Sequence, residues 1–511
     1  MSQDIGEKTT AVDDGPILHK VLDAEDPALA QAEDLVAAET QYTKAEYDRL
    51  KRKFEFILLP IMMLVYGLQY ADKVSLSSGV VFGLKPDTGL TTSEYSLLTV
   101  WFYVAYLVGQ IPMMYILQRV PLGKGLGVAI VLWGIAVICL GACNNYAQLS
   151  GVRIVLGWFE CCITPGFLLI TISWWKRQEA TLRSSMFFAM NSFLGGVFAV
   201  IIYALARHSQ LHGGVAGWRA INFFLGSLTV FAGILTFIFV GVPDEVWWLN
   251  KEKKKMVRAR IVGNGTGGGE SHPWKWSQVR ECFRDPQWYF MIVYQLLSTI
   301  PNGALGTFSV LVYQSFGFTA LQSILYQLPA NAIGFVVIIS SALLVNKYPR
   351  ARYPIALLWI TVEMIVFLYI GLGKGSKWGN WACFSFNGVV ACANFLLWPL
   401  MSINSAGRTK KSFMSACTFI TYCVGNMIGS QTFRPNDAPR YLHGLMASAI
   451  LMAAELVWLC VWWYYYRWTN KKRDAAAAAA GLTQEEIDHA NRLAGETDQT
   501  DLQNPHFRYM Y

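Results

Sequence analysis

Long apolar stretches dominate this chain and constrain its fold more than any other feature. Segments such as 128–140 and 221–240 are predominantly apolar, and short polar segments separate them from their neighbours. Most of these stretches can cross a hydrocarbon layer of roughly 30 Å, which requires about 20 helical residues. Only helices and closed barrels satisfy every backbone polar group in lipid, and barrel strands would alternate in polarity over about 10 residues. Because these stretches do not alternate, the sequence predicts an all-α membrane protein.

Twelve membrane-spanning helices are predicted, in two halves of six. The predicted spans are 54–72, 95–117, 124–142, 149–175, 184–206, 219–241, 286–313, 323–345, 353–372, 380–403, 412–431 and 441–468. The corresponding domains are a disordered N-terminal tail (1–53), a first half (54–241), a linker (242–285), a second half (286–468) and a C-terminal tail (469–511). The acidic N-terminal residues contain few aromatics, and both tails are therefore expected to be disordered.

The charged residues indicate orientation rather than nucleic-acid binding. Only 15% of the residues are charged, whereas soluble domains contain about a quarter. The loops after even-numbered spans, including the linker, carry 20 lysines and arginines, against 8 in the loops after odd-numbered spans. Basic loops stay in the cytosol. We therefore expect the linker and both tails to be cytosolic, and we read the net charge of +8 as a consequence of this orientation.

The sequence contains no recognisable catalytic, cofactor or metal motif, so we predict that the protein is not an enzyme. The 10 cysteines show no metal-ligand spacing, and most lie within apolar segments as small buried side chains. The glycine-rich run 263–269 follows no strand and ends in no Gly-Lys-Ser/Thr, so it is interpreted as a flexible linker and not as a phosphate loop.

Ionisable residues within spans are costly and are therefore candidates for function. Arg153 and Glu160 lie seven residues apart in the fourth span, which places them on one helix face about 10 Å apart along the axis. A carboxylate that is either protonated or paired with an arginine has two states, as a coupled transporter needs. The alternative is a permanent ion pair that only fixes packing.

Four further carboxyl groups and one lysine complete the set of candidates. Glu55 lies at the start of the first span, where its side chain can reach water at little cost. Asp72 and Lys73 end the first span, where they are either functional or an ordinary charged helix end. Glu363 and Glu455 lie within spans without a visible partner and remain unassigned.

Polar amides recur in the middle of the spans. They either join helices or line a cavity, and the sequence does not separate these roles. The residues are Asn191, Gln295, Asn302, Gln327, Asn331, Asn394 and Asn426. Pro301 and Pro399 mark points where helices can bend around a site.

Several segments resemble the major facilitator superfamily, and more narrowly the fungal allantoate permease family of anion:cation symporters. The most extensive is "RIVLGWFECCITPGFLLITISWWKRQEATLRSSMFFAMN", from residue 153. The others are "ADKVS", "GWRAINFFLG", "VPDE", "NSAGRTKKS", "YCVGNMIGSQTFRPNDAPRYLHG" and the ending "TDLQNPHFRYMY". The resemblance implies the superfamily fold of two six-helix halves, built from inverted three-helix repeats, with a substrate site between the halves.

The resemblance also implies roles for individual residues. It makes Asp72 and Glu160 the proton-accepting carboxylates, with Arg153 controlling Glu160. It makes Lys73 the partner of the substrate carboxylate, where the wider group more often has arginine. A lysine offers a point charge in place of the bidentate fork of an arginine. The other expected substrate-binding residues are Tyr70, Tyr106 and Asn426, and we add Asn394 from the mid-span amides.

The resulting prediction is proton-coupled uptake of a small organic anion across the fungal plasma membrane. Allantoate, ureidosuccinate, short peptides and vitamin carboxylates are the substrates that the resemblance suggests. Export of a drug or secondary metabolite is an alternative with the same fold, and a transporter-like nutrient sensor is another. The expected partners are the substrate, protons and the lipid bilayer, with no cofactor and no nucleic acid, and we expect a monomer.

Overall fold

The chain folds into a bundle of long helices, as predicted. A computed structural model describes residues 42–261, 275–372, 375–433, 440–481 and 499–511, with positions 437, 483, 486 and 487. All regular secondary structure in these residues is helical. Within them, 11 helical stretches are long and apolar enough to cross a membrane. The predicted span 412–431 is not among these, although it forms a helix, α17 below.

The first half and the linker contain nine α-helices among the described residues. They are α1 (Lys44–Val81), α2 (Leu84–Thr88), α3 (Thr92–Arg119), α4 (Leu122–Ala142), α5 (Tyr146–Glu160), α6 (Ile163–Trp174), α7 (Arg177–His212), α8 (Gly217–Phe239) and α9 (Lys251–Ile261). Helices α5 and α6 follow one another closely and form a single span, Tyr146–Trp174.

The second half contains a further nine α-helices in the described part of the chain. They are α10 (Trp276–Cys282), α11 (Pro286–Ser315), α12 (Ala320–Leu325), α13 (Leu328–Lys347), α14 (Arg352–Gly371), α15 (Lys377–Phe384), α16 (Val390–Ile403), α17 (Arg408–Ser430) and α18 (Leu442–Ala479). Short 3₁₀ segments, Pro349–Ala351 and Ser385–Val389, precede α14 and α16.

Helix α17 is more polar than the other spans because it lies between neighbouring helices. It packs against α11 in its own half and against α3 in the other. Its polar residues Thr418 and Asn426 are buried in these contacts. A polar group that contacts other helices does not incur the full cost of exposure to lipid. A criterion based on hydropathy alone therefore does not recognise this helix as a span.

Glycines allow α4 and α8 to pack closely. A Cβ atom added at Gly134 of α4 would lie 2.6 Å from the backbone nitrogen of Val230, and one added at Gly233 of α8 would lie 2.7 Å from that of Val131. In lipid the hydrophobic effect does not favour helix association, so helices associate through close van der Waals contact. Small residues at such crossings allow the two backbones to approach closely enough for that contact. This close packing fixes one side of the first half.

Three of the helix pairs that join the two halves matter for the site. Helix α3 packs on α17, α7 packs on α13, and α1 packs on α11. The α3–α17 pair places the predicted site residue Tyr106 opposite the second half, and the α1–α11 pair does the same for those of α1.

Ion pairs secure the first half on the side where α9 lies, which we call the linker side. Glu179 at the start of α7 is 2.6 Å from Lys51 of α1 and 2.6 Å from Arg260 of α9. Burial raises the pKa of the Glu179 carboxyl, but its bonds to Lys51 and Arg260 outweigh this effect and hold the pKa below its usual value. The linker helix is therefore attached to the first half.

A second cluster, here called the Lys410 cluster, secures the linker side of the second half. The fully buried Lys410 ammonium lies 2.6 Å from Asp285, 2.9 Å from Asp501 and 3.1 Å from Glu281. Tyr509 donates a hydrogen bond of 2.8 Å to Asp501. The cluster joins α10, the start of α11, α17 and the C-terminal segment 499–511.

The prediction of a disordered C-terminal tail is wrong for segment 499–511, which is bound to the second half. Asn404 exchanges two 2.8 Å hydrogen bonds with the backbone of Met510. Asn470 makes equivalent bonds of 2.7 and 2.9 Å with the backbone of Tyr509. Asp501 is fully buried and Tyr509 is 2% exposed. The sequence analysis did not predict this docking because the segment is polar. Its partners, Asn404 and Asn470, are far from it in sequence and come near it only in the folded protein.

The predicted N-terminal tail is also shorter than expected. Helix α1 begins at Lys44, where Thr43 and Glu46 form a capping box. The prediction of disorder is therefore wrong for residues 44–53, whereas residues 1–41 lie outside the described residues.

Candidate functional site

A cavity of about 220 Å³ lies between the two halves. Helices α1, α3, α5, α6 and α7 line it from the first half, and α11, α13, α16 and α17 line it from the second. Both halves therefore contribute to one site near the middle of the spans.

Six of the eight predicted site residues line this cavity. They are Tyr70, Lys73, Tyr106, Arg153, Asn394 and Asn426. The other two, Asp72 and Glu160, are 1% and 0% exposed and lie behind the lining. The charged residues of the lining are thus both cations, Lys73 and Arg153.

Lys73 forms an ion pair with Glu160 across two helices. The Lys73 ammonium of α1 lies 2.9 Å from Glu160 Oε1 at the end of α5. The lysine side chain is 25% exposed to the cavity, whereas the carboxylate is fully buried. The ammonium also lies 5.8 Å from the centre of the Phe102 ring. The Lys73 ammonium therefore contacts the buried Glu160 carboxylate on one side and remains accessible from the cavity on the other.

The predicted pairing of Arg153 with Glu160 is not what the structure has. Two helical turns keep these residues apart on α5, and Lys73 of α1 reaches Glu160 instead. Arg153 acts electrostatically on Asp72, the residue beside Lys73. Two guanidinium nitrogens of Arg153, Nε and Nη2, are buried without a hydrogen-bond partner. The site thus contains a cross-helix ion pair between Lys73 and Glu160, whereas both carboxylate oxygens of Asp72 are buried without a hydrogen-bond partner.

Amide side chains line the second-half wall of the cavity. Asn302 of α11 donates a 3.2 Å hydrogen bond to Asn426 of α17. Asn394 of α16 donates a 2.6 Å hydrogen bond to Ser298 of α11, while its own Oδ1 has no partner. Of the seven mid-span amides in the sequence, only Gln295 is absent from the lining. The lining amides supply neutral donors and acceptors to a polar ligand.

Contacts between the two halves lie on both sides of the cavity. Away from the linker side, Tyr95 donates a 2.6 Å hydrogen bond to the Thr307 carbonyl, and the Val310 N–H donates one of 3.3 Å to Ser77. Nearer the linker side, the rings of Phe188 and Phe395 stack with centres 4.6 Å apart. These contacts hold the two halves together around the cavity.

The sequence analysis missed several aromatic and amide residues of the lining. These are Tyr66, Gln69, Tyr103, Asn387, Trp398 and Tyr422 among others. Tyr103 and Tyr422 meet edge to face across the two halves at 6.1 Å. Aromatic residues are frequent along the whole chain, at 14%, so no sequence signal separates these from aromatics that only pack.

A bundle of membrane-spanning helices with a polar site between its two halves is the architecture of a membrane transporter. The family model described as Major Facilitator Superfamily matches residues 62–430. The chain belongs to the Major Facilitator Superfamily, and within it to the allantoate permease family. The allantoate permease of Saccharomyces cerevisiae is 30% identical over 96% of this chain and 91% of its own length.

Two further relatives are similar to this chain over most of its length. The thiamine pathway transporter THI73 of Saccharomyces cerevisiae is 30% identical over 95% of this chain and 91% of its own length. An uncharacterised transporter of Schizosaccharomyces pombe is 35% identical over 80% of both chains. The chain is a transporter of this family and not an enzyme.

A solved structure supports the fold. The xylose transporter XylE from E. coli, in a partially occluded inward open conformation, matches with a TM-score of 0.60. The match covers 80% of this chain and 97% of that one at 12% identity, so the likeness concerns the fold alone.

Proposed function

We propose that the protein couples the uptake of a small organic anion to protons across the fungal plasma membrane. The main support is the sign of charge at the cavity, where Lys73 and Arg153 line the surface while Asp72 and Glu160 lie behind it. An anion that enters meets two cations, and the lining amides supply further hydrogen bonds. Allantoate, ureidosuccinate and vitamin carboxylates have this chemistry.

Coupling follows from competition for Lys73. With Glu160 ionised, the Lys73 ammonium is already neutralised at 2.9 Å and attracts a substrate carboxylate weakly. A proton on Glu160 releases Lys73, which then pairs with the substrate. Proton and anion therefore favour each other's binding, as linkage requires. Substrate affinity accordingly rises as the pH falls through the titration of Glu160.

The size of the cavity favours a small solute over a drug-sized one. Pockets for drug-sized ligands have volumes of about 300–1,000 Å³, whereas this cavity has about 220 Å³. This observation supports uptake of a compact metabolite over export of a large xenobiotic.

Uptake by proteoliposomes tests this function. Under an imposed inward proton gradient, the reconstituted protein should accumulate radiolabelled allantoate or a competing small carboxylate above its external concentration. Accumulation that needs the opposite gradient would identify an exporter, and equilibration without accumulation would exclude coupling. Competition among unlabelled carboxylates, in a strain that lacks its own permeases, then ranks the substrates.

Lys73→Ala is expected to weaken carboxylate binding by about 10- to 100-fold, since a hydrogen bond to a charged group contributes about 1.5–3 kcal/mol. Lys73→Arg keeps the charge and is the matched control, for which most of the affinity should remain. The measurement is the half-saturating concentration for a carboxylate substrate and for a neutral analogue. An equal loss for both would assign Lys73 to folding rather than to anion binding.

The proposed orientation places both termini and the linker in the cytosol. An epitope inserted in segment 263–269 should be inaccessible to antibody in intact cells and accessible after permeabilisation. The reason is the excess of basic residues in the even-numbered loops. Labelling of intact cells at the linker would reverse the assignment.

A further inference from the structure

One face of helix α11 lines the cavity, and a glycine lies in the middle of that face. Asn302, Gly306 and Ser309 line the cavity, and their spacing of four and three residues places them on the same side of the helix. All three are partly exposed, whereas the neighbours Leu305 and Thr307 are buried. A glycine inside a helix destabilises it relative to alanine, so its presence at this position needs a reason.

The two usual reasons for a helical glycine do not apply to Gly306. It is not among the described glycines with a positive φ. A Cβ atom added to it would meet no atom of the described residues outside its own stretch of helix backbone within 4 Å. One turn earlier, a Cβ atom added to Gly303 would lie 2.6 Å from the backbone of Asn426. Packing therefore explains Gly303, whereas Gly306 borders open space in the cavity.

This open space lies at about the depth of Lys73. Helices α1 and α11 both begin on the linker side and run in the same direction. The Val310 N–H donates a 3.3 Å hydrogen bond to Ser77 Oγ, which gives the register of the two helices. Gly306 and Lys73 each lie one turn before these residues, about 6 Å back along the axis. Both line the cavity, so the space beside Gly306 is next to the position of the substrate anion.

We propose that Gly306 is a specificity-determining residue that makes room for substituents on the substrate carbon next to the carboxylate. The inference rests on the proposed function, in which the substrate carboxylate pairs with Lys73. The carbon bonded to that carboxylate then lies near the depth of Gly306, where any side chain would compete with its substituents for space. The site therefore accepts carboxylates that are doubly substituted on this carbon. Allantoate carries two ureido groups there, and N-carbamoylglycine carries one.

The test compares the half-saturating concentrations of these two anions for uptake into proteoliposomes. Gly306→Ala should raise the concentration for allantoate about tenfold more than that for N-carbamoylglycine, because overpacking of a filled site costs free energy. A tenfold difference corresponds to about 1.4 kcal/mol. Gly306→Val adds a larger side chain and should widen the difference.

Two other glycines provide matched controls. Gly151 of α5 is exposed and lies outside the cavity lining, and a Cβ atom added to it would also meet nothing within 4 Å among the described residues. Gly151→Ala should therefore leave both concentrations unchanged. Gly303→Ala should lower the thermal unfolding temperature in detergent, because the added methyl group meets backbone. Gly306→Ala should keep or raise that temperature.

Three results would overturn the assignment of specificity to Gly306. The first is an unchanged ratio of the two half-saturating concentrations in Gly306→Ala. The second is a fall in its unfolding temperature as large as that of Gly303→Ala, which would make Gly306 a packing residue. The third is a wild-type protein that takes up N-carbamoylglycine and excludes allantoate. A wild-type protein that takes up neither anion would instead refute the proposed function, and the inference with it.

Discussion

Glu160→Gln is expected to abolish proton-driven accumulation of substrate while substrate exchange continues. The glutamine amide has nearly the shape of protonated glutamic acid, so it holds the site in the state with Lys73 free. A substrate anion then still pairs with Lys73, and exchange of one substrate molecule for another needs no net proton movement. Without a carboxylate that regains its charge, the gradient cannot drive the cycle at this residue. We expect accumulation above the external concentration to be lost and counterflow to remain within about threefold of wild type, a difference below about 1 kcal/mol.

Counterflow and gradient-driven uptake should be measured in the same preparation of liposomes. Glu46→Gln is a suitable control because Glu46 is an exposed residue of the α1 capping box, far from the cavity. Intact accumulation by Glu160→Gln would remove this residue from coupling and leave the Lys73–Glu160 pair with a packing role. Loss of counterflow as well would indicate that the ion pair is needed to form the binding site.

Lys410→Ala should destabilise the second half by about 3–5 kcal/mol, the usual cost of removing one partner of a buried ion pair. The substitution leaves the carboxylates of Asp285 and Asp501 fully buried without the ammonium that lies 2.6 and 2.9 Å away. The expected result is a markedly lower thermal unfolding temperature of the purified protein in detergent.

Lys124→Ala is the matched control, because Lys124 is an exposed lysine near the start of α4. It should change the unfolding temperature little, as most surface substitutions do. Equal unfolding temperatures for Lys410→Ala and wild type would contradict the importance assigned to the Lys410 cluster.

Much of this architecture could be predicted from the sequence because membrane insertion leaves few alternatives. Apolar length alone located the spans, and the cost of a buried charge selected Asp72, Lys73, Arg153 and Glu160 as notable residues. The family resemblance, and not any physical pattern, selected Tyr70 and Tyr106 among many tyrosines. Both line the cavity.

Partners on different helices could not be predicted. Spacing along α5 suggested that Arg153 meets Glu160, but the cation that reaches Glu160 comes from α1. Sequence periodicity defines the faces of one helix, whereas an ion pair across helices depends on rotation and depth in the bundle.

The Lys410 cluster also sets an order for biosynthesis. Asp285 enters the membrane region at the start of α11, whereas Asp501 follows roughly two hundred residues later. At about 5–20 residues per second, the ribosome delivers Asp501 some 10–40 s after Asp285. The helices of the second half are synthesised during that interval. When the last of them ends at Ala479, Asn404 and Asn470 still lack the backbone of Met510 and Tyr509 that they later bind. The last folding step of this half is thus the docking of a soluble segment onto helices already in the bilayer, and a nascent chain stalled before residue 499 would expose this unfinished surface to the machinery of quality control.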